Sequence, residues 1–162
     1  MSYWINIHWP PFAKDKPTLS SSDPPYHYQV YIPDGRQHAG RELQPGDYVF
    51  IYETKWGRPR KDGEKYAEPG RQGIIALVYA HTPICPNPSE KHEEYLDGST
   101  ILWKWQAKTD KKKLKLGFCP HNDVCKILGY SPKWTLRGFG DKRSGLKKLR
   151  DKKQIKALLK YF

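Results

Sequence analysis

The sequence lacks any apolar run of the roughly 20 residues that cross a bilayer as a helix. The segment MSYWINIHWPPF has neither the basic region nor the apolar region of a secretory signal. Cysteine is scarce, with 3 residues in irregular spacing, which argues against a disulfide framework and favours a reducing compartment. We therefore expect a cytoplasmic protein with no membrane partner.

Sequence signatures of several enzyme classes are also missing. The chain has no glycine-rich phosphate loop, no GxSxG nucleophile elbow and no HExxH zinc helix. A nucleic-acid hydrolase would have to use Asp34, Glu42 and Glu53, and we keep that activity as a less favoured alternative. We predict a binding protein that is not an enzyme and needs no cofactor.

One short segment carries the atoms of zinc ligands. Cys119, His121 and Cys125 occur together in CPHNDVC, but their spacing fits no common zinc finger, and a fourth ligand would have to come from Cys85 or a distant histidine. Buried thiols beside the start of a helix are the favoured interpretation. We therefore predict no metal site.

Positive charge is concentrated in the C-terminal third of the chain. The net charge is +12, yet residues 1–103 hold 11 Lys and Arg against 13 Asp and Glu, whereas residues 104–162 hold 18 against 4. Basic residues that neutralise phosphates release counterions, so a polyanion is the expected partner, and solubility alone is the alternative. The 6 Trp and 11 Tyr add surfaces on which bases stack. This combination is typical of nucleic-acid readers.

Hydrophobic patterning predicts an α+β protein. In residues 3–9 the side chains alternate, with Tyr3, Ile5, Ile7 and Trp9 on one face. Apolar or alternating runs predict further strands at residues 26–32, 46–54, 73–81 and 100–108.

Helices are expected between and after these strands. Residues 89–96 have a serine and early acidic residues that favour a short helix. A second helix is expected to begin at Asn122 or Asp123 and to end at Gly129. Asp151 and Gln154 resemble a capping box before a basic C-terminal helix.

Four strand motifs follow one another within residues 3–108: YWINIHWPPF, LQPGDYVFIYET, GIIALVYAHTP and ILWKWQAKT. Their order resembles that of EVE domains in the PUA-like superfamily, which also includes YTH domains. The resemblance implies a compact, barrel-like mixed sheet flanked by short helices. We expect an EVE-like domain at residues 1–116, and a basic extension at residues 117–162 that packs on that domain or continues it.

The resemblance also implies a base-binding pocket, as EVE domains bind nucleic acid or modified bases. Its expected lining comes from the end of the first strand, the segment before the central strand, the end of the central strand and the following loop: His8, Trp9, Tyr28, Tyr31, Arg36, Gln37, Tyr52, Glu53, Thr54 and Trp56. Many EVE domains carry an Arg-Asn-Tyr-Gln-like run where this chain has YIPDGRQHAGREL at residues 31–43. Glu53 or Asn6 is the expected reader of the base edge.

Phosphate contacts are expected from the basic loop after the central strand and from the basic extension. The candidates are Lys55, Arg58, Arg60, Lys61, Arg137, Lys142, Arg143, Lys147 and Lys148. The resulting hypothesis is a reader that takes a flipped, methylated or hydroxymethylated DNA base into an aromatic pocket. It would work alone, with a partner nuclease or in a larger restriction complex, and RNA in place of DNA is the alternative.

Overall fold

The computed structural model describes residues 1–10, 28–66, 68–134, 139 and 144–162, except for the side chains of residues 89–91. Its strands and helices are β1 (Tyr3–His8), β2 (Val30–Ile32), β3 (Tyr48–Glu53), β4 (Gly73–Tyr79), β5 (Cys85–Glu94), β6 (Thr100–Ala107), β7 (Lys115–Pro120), α1 (His121–Leu128), β8 (Leu146–Leu149) and α2 (Lys152–Leu159). Short 3-10 turns occur at Gln37–Gly40 and Lys111–Lys113. The class is therefore α+β with mixed sheets, as predicted. No helix in the described part of the chain is long and apolar enough to span a membrane.

A five-stranded sheet in the order β7-β4-β3-β1-β8 forms the centre of the fold. The central pair β1 and β3 is parallel, and the other neighbouring strands of this sheet are antiparallel. Parallel strands end at the same edge of a sheet, so the residue pair His8 and Glu53 closes both strands side by side. We call this edge the β1–β3 edge.

A second sheet of three strands, in the order β2-β6-β5, packs on one face of the first. The core between the sheets contains Trp4 and Ile51 of the larger sheet together with Ile32 and Ala107 of the smaller one. Neither sheet closes on itself within the described residues. We call this face of the five-stranded sheet the sheet side.

The opposite face of the five-stranded sheet carries the two helices. Its core combines strand residues such as Phe50 and Tyr52 with Val124 of α1 and Leu158 of α2, all nearly inaccessible to solvent. We call this face the helix side. The alternation predicted for β1 holds through Ile7, because Ile5 and Ile7 pack on the helix side and Trp4 on the sheet side. Trp9 departs from it, because the strand ends at His8 and the indole ring contacts Tyr95 beside the smaller sheet.

The helix predicted at residues 89–96 is wrong. Strand β5 runs through this segment to Glu94, pairs antiparallel with β6, and is joined to it by a turn in which Gly98 has a φ of 79°. Glu93 and Tyr95 are buried while Glu94 and Leu96 are exposed, which is the period of a strand. Cross-strand pairing and burial therefore override the local acidic pattern.

Both C-terminal helices exist, with one difference at a boundary. Helix α1 begins at His121 after Pro120, so neither Asn122 nor Asp123 caps it, and it ends as predicted at Gly129 in the left-handed conformation. The Asp151 carboxylate caps α2 by accepting a hydrogen bond from the backbone N–H of Lys153 at 2.7 Å.

Two further strands were not predicted, and both lie in or next to the basic extension. β7 and β8 form the two edges of the five-stranded sheet, and β8 pairs antiparallel with β1. Trp134 and Phe139 also pack into the helix-side core. Residues 117–162 therefore add strands to the sheet that contains the N-terminal strand. They also supply both helices and several side chains of the core that packs on this sheet.

Candidate nucleic-acid interface

The β1–β3 edge brings four of the predicted pocket residues together. His8 and Glu53 are register partners, and the backbone N–H of Thr54 donates to the carbonyl of His8 at 2.9 Å. Trp9 and Thr54 are the residues that directly follow these strands. Because both strands run in the same direction, residues 45 positions apart in the chain meet at one edge.

The Asn6 side chain organises the sheet side of this edge. It is completely buried, its Oδ1 accepts from the backbone N–H of Tyr31 at 3.3 Å, and its Nδ2 donates to the carbonyls of Gly145 at 3.1 Å and Tyr31 at 3.5 Å. Its Oδ1 also lies 2.8 Å from Nε2 of His8. The amide therefore joins β1 to β2 and to the start of β8, and it is not placed to read a base.

These contacts also set the direction of the hydrogen bond between Asn6 and His8. The two carbonyls beside Nδ2 of Asn6 orient the amide, so the atom facing the imidazole is Oδ1, which only accepts. Nε2 of His8 therefore donates to Oδ1 of Asn6. The His8 and Tyr31 rings are tilted, with centroids 6.4 Å apart, which adds an aromatic wall beside the imidazole.

Glu53 is held beside His8 by the following loop. The carboxylate is 8% exposed and accepts from the backbone N–H of Arg71 at 2.8 Å. Gly70 makes this approach possible, since a Cβ there would lie 1.8 Å from the carbonyl oxygen of Thr54. Burial raises the pKa of Tyr28, and the negative charge of Glu53 raises it further while Arg71 opposes the change. Tyr28, Glu53 and Arg71 therefore share one electrostatic environment.

Arg71 is a site residue that sequence reasoning did not select. Its guanidinium lies over the ring of Phe118, with Cζ 4.0 Å from the centroid, and the residue is exposed. The only sequence signal is its position as the last basic residue of the loop before β4. Its proximity to Glu53 depends on how that loop folds back, which local patterns do not reveal.

An aromatic cluster surrounds Trp9. Its ring meets Tyr95 and Trp103 edge to face, at centroid distances of 5.4 Å and 6.2 Å. Gly57 packs directly on the indole, because a Cβ there would lie 2.6 Å from the ring. Trp9 is therefore partly buried and does not overhang an open cleft. Trp56 is the accessible ring, with 49% of its surface exposed and its centroid 6.2 Å from that of Tyr66.

A buried carboxylate anchors this cluster and also holds Arg60, one of the predicted phosphate contacts. Glu93 accepts from the indole N–H of Trp103 at 3.0 Å, from the hydroxyl of Tyr95 and from Arg60 at 3.3 Å. Burial, followed by the contact with Glu93, raises the pKa of Tyr95. The Arg60 side chain is only 14% exposed and also pairs with Asp62. It therefore fastens the loop to strand β5.

Tyr52 is not brought together with His8 and Glu53. It lies on the helix side, 1% exposed, and its hydroxyl is 2.8 Å from Nδ1 of His121. Burial raises the pKa of this hydroxyl. Consecutive residues of a strand point to opposite faces, so Tyr52 and Glu53 were incompatible as members of one pocket.

Arg36 and Gln37 lie at the start of the 3-10 turn Gln37–Gly40. Both are partly buried, and Oε1 of Gln37 is inaccessible to solvent. Gly40 fits this turn tightly between Ile32 and Ile84, because a Cβ there would lie less than 3 Å from both side chains. The turn is thereby fixed to the smaller sheet beside β2.

The remaining phosphate candidates differ in accessibility. Lys55, Arg58 and Lys61 are exposed, although Arg58 donates to Ser99 at 2.9 Å and Lys61 pairs with Glu94 at 3.4 Å. In β8, Lys147 donates to the Tyr130 hydroxyl at 2.6 Å, and Lys148 pairs with Glu42 at 2.9 Å. Arg137, Lys142 and Arg143 lie outside the described residues.

The carboxylates considered for hydrolysis have separate structural contacts. Asp34 accepts from the indole N–H of Trp105 at 3.2 Å, Glu42 pairs with Lys148, and Glu53 lies at the β1–β3 edge. In the described part of the chain, no three His, Cys, Asp or Glu side chains form a group that could hold a metal ion.

The residues of the segment CPHNDVC lie at the end of β7 and in α1. Sγ of Cys125 lies 3.4 Å from Nε2 of His121, one turn earlier in α1. Burial raises the pKa of the Cys119 thiol to about 11 and also raises that of Cys125. Burial therefore moves both thiol pKa values further above neutral pH, where an ordinary thiol is already mostly protonated.

No protein-family model matches this sequence, and no curated protein matches it. Among solved structures, the NMR structure of Rpa0253 from Rhodopseudomonas palustris is similar over 99% of this chain and 93% of that one, with 12% sequence identity and a TM-score of 0.47.

Proposed function

We propose that this protein is a non-enzymatic nucleic-acid reader of the PUA-like type, which accepts a flipped, modified DNA base at the β1–β3 edge. The observation that carries the proposal is the convergence of His8 and Glu53 with the ring of Tyr31 at that edge. These groups combine polar atoms, which can bind a base edge, with rings against which a base can pack.

The chemistry of the site favours a base with an exocyclic amino group. A carboxylate only accepts hydrogen bonds, and Glu or Asp is a frequent acceptor for the N4 amino group of cytosine. Glu53 and His8 are both less than a tenth exposed, so a base would reach them with one edge. An added methyl group contributes about 0.8 kcal/mol of apolar burial where it meets an aromatic ring.

Trp56 is the ring best placed to cover an incoming base. It lies in the loop after β3, two residues beyond Thr54, and the Thr54 hydroxyl donates to its carbonyl at 3.0 Å. Half of its surface is exposed. Stacking on an aromatic ring contributes about 1 to 3 kcal/mol per base and offsets the few kcal/mol needed to unstack it.

The test is a binding panel of duplexes that differ in one base: cytosine, methylcytosine, hydroxymethylcytosine or methyladenine. We expect the wild type to bind one modified duplex about tenfold more tightly than the unmodified one. Trp56→Ala should reduce this ratio to near one and leave binding of the unmodified duplex in place. Leu116→Ala is the matched control, because Leu116 is 52% exposed on edge strand β7.

Three results decide against the proposal. A wild-type protein with equal affinity for every duplex has no modified-base site. If Leu116→Ala lowered the ratio of affinities for modified and unmodified duplexes as much as Trp56→Ala does, the effect of Trp56→Ala would not be local. Tighter binding to matched RNA than to DNA would replace the DNA reader by an RNA reader.

A further inference from the structure

The outer face of α2 is a row of lysines on a well-supported helix. Leu158 is completely buried, and Ile155 and Leu159 pack into the helix-side core, which fixes the orientation of the helix. The exposed positions are occupied by Lys152, Lys153, Lys156 and Lys160.

Their spacing places the charges along one line. Lys152, Lys156 and Lys160 are four residues apart, which on an α-helix means one face and a rise of about 6 Å per step. Lys153 is adjacent to the first of them. Four ammonium groups therefore follow the helix over a length of about 12 Å.

No acidic residue interrupts this row. Residues 152–162 contain neither Asp nor Glu. Nearby, Asp151 caps the helix, Asp123 accepts from the Tyr161 hydroxyl at 3.0 Å, and Glu42 pairs with Lys148 of β8 at 2.9 Å. By contrast, Arg60 and Lys61 of the loop after β3 are paired with Glu93 and Glu94.

The positive surface continues beyond the start of the helix. A cavity of about 320 Å³ between β8 and α2 is lined by the basic residues Lys147, Lys148 and Arg150, together with Leu128, Leu149, Asp151 and Gln154. Arg150 is exposed. We call the lysine row together with this cavity the α2 surface, in which Lys148 is paired with Glu42.

We propose that the α2 surface binds the phosphate backbone of nucleic acid without regard to sequence. The inference rests on the proposed function for the identity of its polyanion, and it adds a surface distinct from the base site. α2 lies on the helix side, whereas Asn6 and His8 lie beside β2 on the sheet side. Affinity from the backbone and selectivity from the base would then depend on different residues.

A membrane fits this surface less well. An amphipathic helix binds a bilayer by burying its apolar face among the lipids. The apolar face of α2 is already buried in the protein core, so only the charges remain available. Nucleic acid carries its phosphate charges on its outer surface and is therefore the better partner.

The experiment compares two variants that each remove four positive charges. K152Q/K153Q/K156Q/K160Q removes the lysine row, and K108Q/K112Q/K115Q/K133Q removes four exposed lysines elsewhere. The affinity of each for an unmodified duplex is measured between about 50 and 200 mM salt. Far-ultraviolet circular dichroism and urea unfolding check that both remain folded.

We expect the α2 variant to bind at least about tenfold more weakly near 0.1 M salt, and the salt slope to fall by about 0.9 for each phosphate that the variant no longer neutralises. The control variant should keep most of the wild-type slope. The ratio of affinities for modified and unmodified duplexes should be unchanged in both.

An α2 variant that binds like the wild type, or two variants that weaken equally, would overturn the inference while leaving the proposed reader intact. Stronger binding of the wild type to phosphatidylserine vesicles than to duplex at the same salt, abolished in the α2 variant, would reassign the surface to membranes. A wild type that binds no duplex at all would instead remove the proposed function, and the inference with it.

Discussion

The two faces of the five-stranded sheet differ in where their buried polar side chains lie. On the sheet side, Asn6 contacts His8, and His8 is the register partner of Glu53 where β1 and β3 end. On the helix side, the hydroxyl of Tyr52 and the ring of His121 meet within an otherwise apolar core. The first group lies where β1 and β3 end, whereas the second joins β3 to the first residue of α1. In the proposed account, base reading belongs to the sheet side, and the helix side carries a packed core beneath the α2 surface.

The largest expected effect is the loss of Asn6. Asn6→Ala removes hydrogen bonds to Tyr31, His8 and Gly145, and it leaves buried groups without partners. We expect the free energy of unfolding to fall by about 3 kcal/mol, as measured by urea denaturation. Asn122→Ala, at an exposed position of α1, should change it by less than about 0.5 kcal/mol. A decrease below about 1 kcal/mol in Asn6→Ala would show that the amide does not join these segments.

An effect of intermediate size concerns Cys119 and pH. Its pKa is raised to about 11 by burial, so above its ordinary value near 9 the unfolded chain releases this proton first. The thiol therefore contributes stability at neutral pH that is lost as the pH rises from about 9 to 11, on the order of 2 kcal/mol. Cys119→Ala should show a shallower fall in this window, measured by urea unfolding at each pH. Parallel curves for the two proteins would contradict the assignment.

The smallest expected effect belongs to Tyr52. Tyr52→Phe removes one hydrogen bond to His121 and retains the packing of the ring, so the free energy of unfolding should fall by about 1 kcal/mol. Duplex affinity and base preference should remain at the wild-type level, in contrast to Trp56→Ala. A Tyr52→Phe variant that is fully stable and yet loses base preference would break the distinction between the two faces.

Much of the sheet was predictable because its strands carry strong local signals. β1, β3, β4 and β6 show alternation or apolar runs, and each forms within the predicted range. β5 escaped prediction because SEKHEEYL has the composition of a helix start, and its strand depends on pairing with β6. β8 escaped prediction because LKKL is too short to show a strand pattern, and the strand forms only through its pairing with β1.

The candidate site was predictable only in part, for a similar reason. His8 and Glu53 were selected as strand ends, and the parallel pairing of β1 with β3 then placed them together. Arg60 was selected for its charge, but its partner Glu93 is 33 residues away in a segment predicted to be helical. The spatial partner of a charged residue decides its role, and the local sequence does not contain it.

The most direct measurement is a ¹⁵N-resolved NMR titration of the 6 tryptophan indole N–H signals with matched modified and unmodified duplexes. The account predicts that the modified duplex shifts the signal of Trp56, at the β1–β3 edge, far more than the unmodified duplex does. Trp4 is 1% exposed in the core and Trp134 packs on the helix side, so both serve as internal references. Equal shifts of Trp56 with both duplexes, or no shift with either, would contradict the claim that this edge reads a modified base.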